Sequence, residues 1–418
     1  MPPSDHAQTP AKERTILLTL AAVQFTHIMD FMIMMPLGSQ LMRTFAISPG
    51  KFSHLVAAYA LAAAVSGFLA GFVLDRFDRK HALLVLYTGF GLATLACALA
   101  PNFHALLVAR LAAGAFGGVA SSVVTAMVGD VIPAARRGRA MGMVMAAFPV
   151  ASVLGIPVGL MMAERFSWHA PFFLLAGLSL PVLLVSARAL PRLRALHVSA
   201  NPWQQMSAIL SHRVHQRGFM MSAALIFAGG AVIPFFAPSM VANVGLTEAQ
   251  LPLIYLAGGL CTFVTMPLFG RLSDRYDKLH VLGWLSLAAS IVVLILTNLP
   301  PVPVAAAMVI TAAFMVTMSG RFAPSMAMVS NAVESRYRGG FMSVNSAIQQ
   351  ASSGLANLTA GLLVRNDGQG HLVGFSRVGI VAVFFFGLTF YLATRLRAVA
   401  PHASRPLRAD VLPAAVSH

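Results

Sequence analysis

Asp30 is the only acidic residue in the middle of any long apolar run of this sequence. Placing a charge at the centre of a membrane helix costs about 2.5–3.5 kcal/mol, so an ionisable group there is a functional candidate by default. Burial favours the protonated form of a carboxyl group, as a proton carrier requires. His27 and Gln24 lie three and six residues earlier on roughly the same helical face. We predict that Asp30 and His27 carry protons beside a cavity lined by Gln24; the alternative is a structural aspartate that never titrates.

Two arginines, Arg110 and Arg321, also lie inside apolar runs. A guanidinium stays ionised, so each must face a partner, a polar cavity or water. We expect Arg321 to face a central cavity. For Arg110 an alternative to a functional role is a packing role, with hydrogen bonds to backbone carbonyls.

The eleventh apolar run is unusually polar, with Asn345, Gln349 and Ser352 or Ser353 recurring at helical spacing. Lipid would penalise such a face, so we expect Asn345, Gln349 and Ser353 to line a substrate cavity. The alternative is that they hold helices together through hydrogen bonds. An aromatic wall could be added by the seventh run, although packing against lipid is the favoured interpretation of its phenylalanines: Phe227, Phe235 and Phe236.

The composition of the whole chain explains why charged and polar residues inside its apolar runs are informative. Of the 418 residues, 58% are hydrophobic and 10% are charged, and the mean hydropathy is +0.77. An ordinary soluble domain carries about 25% charged residues. The composition therefore predicts an all-α integral membrane protein in a lipid bilayer and excludes both a soluble enzyme and a disordered chain.

Apolar runs of about 20 residues are long enough to cross a bilayer, and the sequence contains twelve of them. The first run is too long for a cleaved signal peptide and contains Asp30. The predicted spans lie near residues 16–38, 53–74, 82–100, 104–128, 140–163, 170–190, 218–241, 251–270, 280–298, 302–328, 341–364 and 374–394.

The basic residues predict the orientation of these spans. With a cytoplasmic N-terminus, 22 of the 29 Lys and Arg residues fall in inside segments, 5 fall outside and 2 lie within spans. This bias follows the positive-inside rule, so the net charge of +16 reflects topology and not a nucleic-acid partner. We expect a multi-pass protein of the inner membrane with both termini in the cytoplasm.

The longest inside connection divides the spans into two bundles of six, residues 16–190 and 218–397. Residues 1–15 form a cytoplasmic tail, 398–418 a disordered tail and 191–217 a linker. Within this linker Trp203, Met206, Ile209 and Leu210 share one helical face, which predicts an amphipathic helix on the membrane surface. The favoured role of the linker is a tether between the bundles.

The two halves of the chain repeat each other. Residues 71–80 (GFVLDRFDRK) and 270–278 (GRLSDRYDK) place aspartates 199 positions apart, and residues 137–142 and 338–343 form a second pair at an offset of 201. Two pairs at nearly one offset indicate duplication of a six-helix unit. Parallel repeats of this kind form two bundles around a central cavity.

These loops resemble a signature of the major facilitator superfamily of transporters, Gly-x3-Asp-(Arg/Lys)-x-Gly-(Arg/Lys)-(Arg/Lys). Both copies depart from it at the second glycine, where Asp78 and Asp277 stand. That glycine serves a tight turn with positive φ, and aspartate is among the few residues that tolerate this conformation. We therefore expect the same variant turn at both aspartates.

Two further segments resemble the 12-span drug:proton antiporter branch of that family. Residues 110–117 (RLAAGAFG) resemble its fourth-span motif, and residues 151–159 (ASVLGIPVG) its fifth-span motif. The resemblance implies that Arg110 is coupled to protonation of Asp30. Gly155, Pro157 and Gly159 would let the fifth span bend and pack closely against a neighbour.

The resemblance also implies a gate at the cytoplasmic ends of the spans, whose charges latch neighbouring helices in the outward-facing state. Asp130 could pair there with Arg76 or Arg79. The gating candidates are Asp75, Arg76, Arg79, Asp130, Asp274 and Arg275.

We therefore expect a monomeric secondary transporter that exports small hydrophobic or amphipathic compounds in exchange for protons by alternating access. A proton gradient is its energy source, and it needs no cofactor, metal or catalytic residue. His212 and His215 are interpreted as exposed surface and not as a metal pair, and Cys97 and Cys261 as packing residues. The alternatives are a symporter or facilitator for a polar metabolite such as a sugar or organic acid, a membrane sensor, and a membrane enzyme.

Overall fold

Each apolar run folds into a helix, because a helix satisfies its own backbone hydrogen bonds inside lipid. The computed structural model describes residues 10–73, 77–193, 202–334, 337–368 and 370–405. Asp75, Arg76, linker residues 194–201 and most of both predicted tails lie outside these ranges. The helices of the first half are α1 (Pro10–Ile33), α2 (Pro49–Val73), α3 (Arg79–Ala98), α4 (Phe103–Val131), α5 (residues 134–165) and α6 (Ala170–Ala189).

The second half repeats this series. Its helices are α7 (Arg213–Ala242), α8 (Leu251–Arg275), α9 (Lys278–Thr297), α10 (Val304–Asn331), α11 (Arg338–Leu363) and α12 (Phe375–Val399). A two-stranded antiparallel hairpin, β1 (Arg365–Asn366) and β2 (Leu372–Val373), joins α11 to α12.

Among the described residues, eleven helical segments are long and apolar enough to cross a membrane. The remaining long helix, α11, has 26 residues, and its polar face lowers its hydropathy. It packs along its neighbour α2, with Gly361 against Ser53 and Gly354 against Leu61. The predicted all-α, twelve-helix membrane fold is confirmed.

Helix α5 is built from four consecutive pieces: Ala134–Met145, Ala147–Val150, a π-helical turn Ala151–Gly155, and Ile156–Arg165. The π turn lies directly before Pro157, which lacks a backbone N–H and whose ring disturbs the carbonyl four residues earlier. Gly159 packs against α1, where a Cβ would lie 2.7 Å from Ile33 Cδ1. Gly155 likewise lies against Met29 of α1.

Helices α1–α6 pack mainly with one another, as do α7–α12, and the two bundles meet where α2 crosses α11 and where α5 crosses α8. We call the side where α1 begins and α12 ends the terminal face, and the other side the opposite face. At the opposite face Gly361 of α11 lies against Ser53 of α2, and Phe52 meets Phe235 with ring centroids 6.1 Å apart. Nearer the terminal face Ser343 and Ser346 of α11 are exposed, so the molecule is closed at the opposite face and open at the terminal face.

The expected variant turn at the repeated loops is wrong. Asp78 has φ −62° and Asp277 has φ −60°, so neither takes the left-handed glycine conformation. Each side chain instead caps a helix: Asp78 accepts a hydrogen bond from the backbone N–H of His81, and Asp277 from that of Leu279. Aspartate is among the best N-cap residues, which explains why both halves carry it.

The linker helix spans Pro202–Ser211 and packs against the second bundle through Ile209, which is buried with Phe219 and Phe341. Leu210 is exposed, so it does not share the buried face; the side chain of Trp203 lies outside the described part. The prediction that His215 is exposed is wrong, because its ring packs on Phe341 and its Nδ1 contacts the carbonyl of Ile209 at 3.0 Å.

Candidate functional site

Asp30 and Arg110 form an ion pair inside the first bundle. Arg110 Nη1 lies 2.7 Å from Asp30 Oδ2, and both side chains are fully buried. The same nitrogen also donates to the backbone carbonyl of Asp30 at 3.2 Å. A charge-assisted bond of this length is among the strong hydrogen bonds of proteins. The expected pairing of these two residues is thus present; proton transfer by Asp30 stays a prediction.

Helices α2 and α3 complete the surroundings of the pair. Thr94 of α3 donates to Asp30 Oδ1 at 3.3 Å. The guanidinium of Arg110 lies over the ring of Tyr59 of α2, 4.4 Å from its centroid. Such a contact stabilises a cation most where water is excluded. The arrangement holds the arginine in place while leaving two of its nitrogens, Nε and Nη2, without a protein partner among the described residues.

His27 lies one helical turn from Asp30, toward the terminal face, and is buried. Its ring centroid is 5.8 Å from that of Tyr59. Both ring nitrogens and the Tyr59 hydroxyl lack a partner within the described part of the chain. Gly117 of α4 allows this approach, because a Cβ there would lie 2.6 Å from His27 Cδ2 and 2.6 Å from the Tyr59 hydroxyl.

Gln24 lies a further turn along α1 and donates from Nε2 to the hydroxyl of Ser121 of α4 at 2.9 Å. Ser121 in turn lines a small cleft of about 20 Å³ between α2, α4 and α11. Small and polar residues surround this cleft: Ala63, Gly67, Gly118, Ser121, Ser122, Ser343, Ser346, Ala347 and Gln350. The cleft is connected to the ion pair's helix through the hydrogen bond between Gln24 and Ser121.

The prediction that Arg321 faces the central cavity is wrong. Its guanidinium is buried inside the second bundle, 4.0 Å from the centroid of Phe386 of α12, and its Nε donates to the hydroxyl of Ser286 of α9 at 3.2 Å. Arg321 points from α10 toward these peripheral helices because that side offers an aromatic face and a hydroxyl. A guanidinium favours such a site over lipid.

The polar face of α11 is turned from its predicted direction. Gln349 contacts Met326 of α10 at 3.4 Å, Ser353 lies against α7 at Gly230, and Asn345 is 2% exposed. The neighbouring Ser352 donates to the carbonyl of Ala223 of α7 at 2.6 Å. The predicted face therefore packs within its own bundle, and the adjacent face of Ser343, Ser346 and Gln350 lines the cleft instead.

The lipid-facing interpretation of the α7 phenylalanines fails for two of them. Phe235 is fully buried against Phe52 of the other bundle, so it belongs to the closed opposite face and does not line the cleft. Phe236 is buried between Tyr255 and Phe314. Phe227 is half-buried and stacks on Phe385. Phe235 is buried because it contacts the other bundle, and Phe236 because it packs against α8 and α10 of its own bundle.

Among the gating candidates, Arg79 and Asp130 form an ion pair with Nε 3.4 Å from Oδ2. This pair joins α3 to α4 within one bundle. Asp274 and Arg275 are exposed at the terminal end of α8. Their role in a gate stays a prediction.

Residues that complete the site were not singled out in the sequence analysis. Tyr59, Thr94 and Ser121 are ordinary polar residues within apolar runs, and they matter because the fold brings α2, α3 and α4 against α1. One signal was available for α4: Arg110, Gly114, Gly117 and Ser121 recur at spacings of four, three and four, which puts them on one helical face.

The fold and this site define a multi-pass membrane transporter. The chain belongs to the Major Facilitator Superfamily, whose family model matches residues 20–235 and 218–416. It is 27% identical over 382 residues to the uncharacterized MFS-type transporter YceJ of Bacillus subtilis (strain 168), covering 88% of this chain and 94% of YceJ.

Two solved structures share the fold. A bacterial homologue of the human lysosomal transporter Spinster, in its inward-facing conformation, superposes with a TM-score of 0.74 at 16% identity, over 96% of this chain and 100% of that one. The human organic anion transporter MFSD10 (TETRAN) gives a TM-score of 0.70 at 15% identity, over 92% of this chain and 100% of that one.

Proposed function

We propose that this transporter couples proton entry to the export of small hydrophobic or amphipathic compounds. The observation that carries the proposal is the fully buried ion pair of Asp30 and Arg110. A carboxylate in such a place must either keep its cation or be neutralised by a proton. Protonation of Asp30 would release Arg110 and change how α1 and α4 pack, which links a proton to the shape of the first bundle.

The terminal face would be cytoplasmic in this proposal. Most Lys and Arg residues lie in the connections on that face, as the positive-inside rule requires of cytoplasmic loops. The structure would then be inward-open, with both termini in the cytoplasm of a cell with an inner membrane. The pair of Arg79 and Asp130, together with Asp75, Arg76, Asp274 and Arg275, would latch the terminal face when it closes, while Gly155, Pro157 and Gly159 let α5 bend.

The energy available from protons is sufficient for export. One charge that crosses 100 mV releases about 2.3 kcal/mol. At about 1.4 kcal/mol for each tenfold ratio, one proton could sustain roughly a 50-fold gradient of an uncharged compound. The proposal therefore requires no further energy source or cofactor.

The test uses the full chain, reconstituted as a monomer in liposomes, with the amphipathic dye Hoechst 33342 as the probe. In proton antiport an acidic lumen drives dye into the liposome against its gradient, because each proton that leaves is exchanged for dye. We expect this accumulation with the wild type and its loss with Asp30→Asn. Protein-free liposomes measure the passive trapping of a basic dye.

The second candidate function is symport of a polar metabolite, which the hydroxyl and amide groups of the cleft favour. The direction of the pH gradient that drives accumulation separates it from antiport. A symporter accumulates substrate only when the lumen is alkaline. The variant Glu164→Gln changes an exposed carboxylate near the end of α5, is a matched loss of one carboxylate and should retain coupling. Uphill transport by Asp30→Asn would show that the proton site is elsewhere.

A further inference from the structure

We infer that a water-filled proton passage runs from Asp30 to the cleft at the terminal face, with His27 as its middle step and Gln24 and Ser121 at its mouth. This inference rests on the proposed proton coupling and adds the route by which the proton leaves. The route lies entirely within the first bundle, between α1, α2 and α4.

The first observation is a column of buried polar atoms without protein partners among the described residues. It comprises Arg110 Nε and Nη2, the Tyr59 hydroxyl, both ring nitrogens of His27 and Gln24 Oε1. Buried polar groups are nearly always hydrogen-bonded, to protein or to ordered water. A polar site of this kind retains water because each molecule finds two to four partners. Six such atoms in one column indicate a chain of water molecules.

The second observation is the register of the two helices. The guanidinium of Arg110 reaches Asp30, Gly117 lies against His27, and Ser121 is hydrogen-bonded to Gln24. Three residues of a helix rise about 4.5 Å, so each step along α1 from Asp30 to His27 and on to Gln24 is short enough for one bridging water. The last residue, Ser121, already lines the cleft.

The third observation is that α4 carries a glycine where it meets His27 and Tyr59. A Cβ on Gly117 would meet both His27 Cδ2 and the Tyr59 hydroxyl at 2.6 Å. Any larger residue would push the His27 ring and the Tyr59 hydroxyl away from their positions. Gly117 therefore lets these two groups take their places in the column.

The proton would move in three transfers. It leaves an oxygen of Asp30 for a water beside Tyr59, and His27 takes a proton at one ring nitrogen while releasing another from the second nitrogen. That proton passes to water hydrogen-bonded to Gln24 and Ser121 and reaches the cleft. The charged and titratable groups around His27 are Asp30 on α1, Tyr59 on α2 and Arg110 on α4, with Cys97 of α3 beside Asp30 and Arg110; Phe90 of α3 supplies an apolar wall.

The test follows the protonation of Asp30 directly, without a transport substrate. The full chain in lipid bilayers is stepped between acidic and alkaline buffer while infrared absorption records the carbonyl band of a protonated carboxylic acid. The part of the band that Asp30→Asn removes belongs to Asp30. The rate at which this band changes is then compared in Gly117→Ala, which displaces His27 and Tyr59, and His27→Phe, which keeps an aromatic ring and removes both nitrogens.

The matched control is Gly129→Ala, on the same helix, where a Cβ meets no atom within 4 Å. In both column variants we expect the Asp30 band to change at least about tenfold more slowly after the pH step, because a positioned proton-transfer group contributes about 10²–10⁴-fold to a rate. The final amplitude of the band should be unchanged. The control should keep the wild-type rate. Unchanged final amplitude shows that the variants are folded.

Two results would overturn the inference, and they differ from each other. If Asp30 titrates at the wild-type rate in both column variants, the passage is wrong while the proposed proton site stands. If no band is removed by Asp30→Asn at any pH, Asp30 does not titrate and the proposed function falls together with the passage.

Discussion

Arg43 and Glu248 form an ion pair that joins the two bundles at the opposite face, with Nη2 2.7 Å from Oε1. Arg43 lies on the short helix Gly38–Thr44 that follows α1, and Glu248 lies just before α8. Gln40 on the same short helix donates to Glu248 Oε2 at 3.0 Å. One carboxylate of the second bundle thus holds two residues of the first, on the side where the molecule is closed.

Removing this contact should favour opening of the opposite face. An exposed ion pair is worth about 0–1 kcal/mol, so Glu248→Gln should raise the fraction of molecules open at the opposite face by up to about fivefold. Distances between spin labels on cysteines introduced at Lys51 and Asn366, in a Cys261→Ser background, report the separation of the bundles there.

The control is Arg136→Ala. Arg136 and Glu13 form an ion pair of similar exposure and length, 3.0 Å, but within the first bundle. Its loss should leave the label distances unchanged. An equal shift in both variants would mean that the pair of Arg43 and Glu248 has no special role in closing the molecule.

The pairing of Asp30 with Arg110 could be expected because the family resemblance implies that the two are coupled. The residues alone say only that a buried guanidinium needs a partner, a polar cavity or water. The search for a charged partner does not predict the position of Arg321. Its contacts are an aromatic ring and a hydroxyl, groups too common in a membrane sequence to stand out. The position of a buried charge is therefore predictable when its partner is charged. The position of Arg321, which is held by Phe386 and Ser286, is not.

Helical spacing alone also left the direction of α11 undetermined. Asn345, Gln349 and Ser353 share a face, as predicted, but Ser343, Ser346 and Gln350 form another polar face beside it. Which face lines the cleft depends on the rotation of α11 against α2. That rotation is set by small residues at the crossing, such as Gly354 against Leu61, and it needs both helices at once.

Arg110→Met should destabilise the protein more than Arg110→Met combined with Asp30→Asn. The single variant leaves a buried carboxylate without its cation, which costs about 3–5 kcal/mol, whereas the double variant removes both charges. Thermal unfolding of the full chain in detergent shows which of the two variants is less stable. If the two losses simply add, Asp30 and Arg110 do not interact as a pair in the membrane-embedded protein.

Asp78→Ala should lower the free energy of unfolding of the first bundle by about 0.5–2 kcal/mol, because it removes the N-cap of α3. Asp78→Asn keeps the cap and should cost little, which makes it the matched control. Hydrogen exchange at the amide of His81, the cap's donor, reports the loss locally. Equal protection of that amide in wild type and Asp78→Ala would contradict the capping role.

The same cap predicts a dependence on pH. Burial alone would raise the pKa of Asp78. The hydrogen bonds from the backbone and side chain of His81 lower it by more, so the pKa lies below its ordinary value. A carboxyl whose folded pKa is lowered stabilises the folded state above its ordinary pKa, and this stabilisation is lost as the pH falls through the lowered value. Protection of the His81 amide should therefore fall in acid in the wild type and much less in Asp78→Asn.

Arg321→Met should stabilise the protein or leave its stability unchanged. The guanidinium is buried, its Nη2 has no partner in the described part of the chain, and no ion pair with a described carboxylate compensates its charge. Replacing buried ionic groups by apolar ones of similar volume is often neutral or stabilising by about 1–4 kcal/mol. Thermal unfolding of the full chain provides the measurement, with Arg110→Met as the opposite case, since that arginine has an acidic partner. A large loss of stability in Arg321→Met would show that the contacts with Phe386 and Ser286 outweigh the cost of burying the charge.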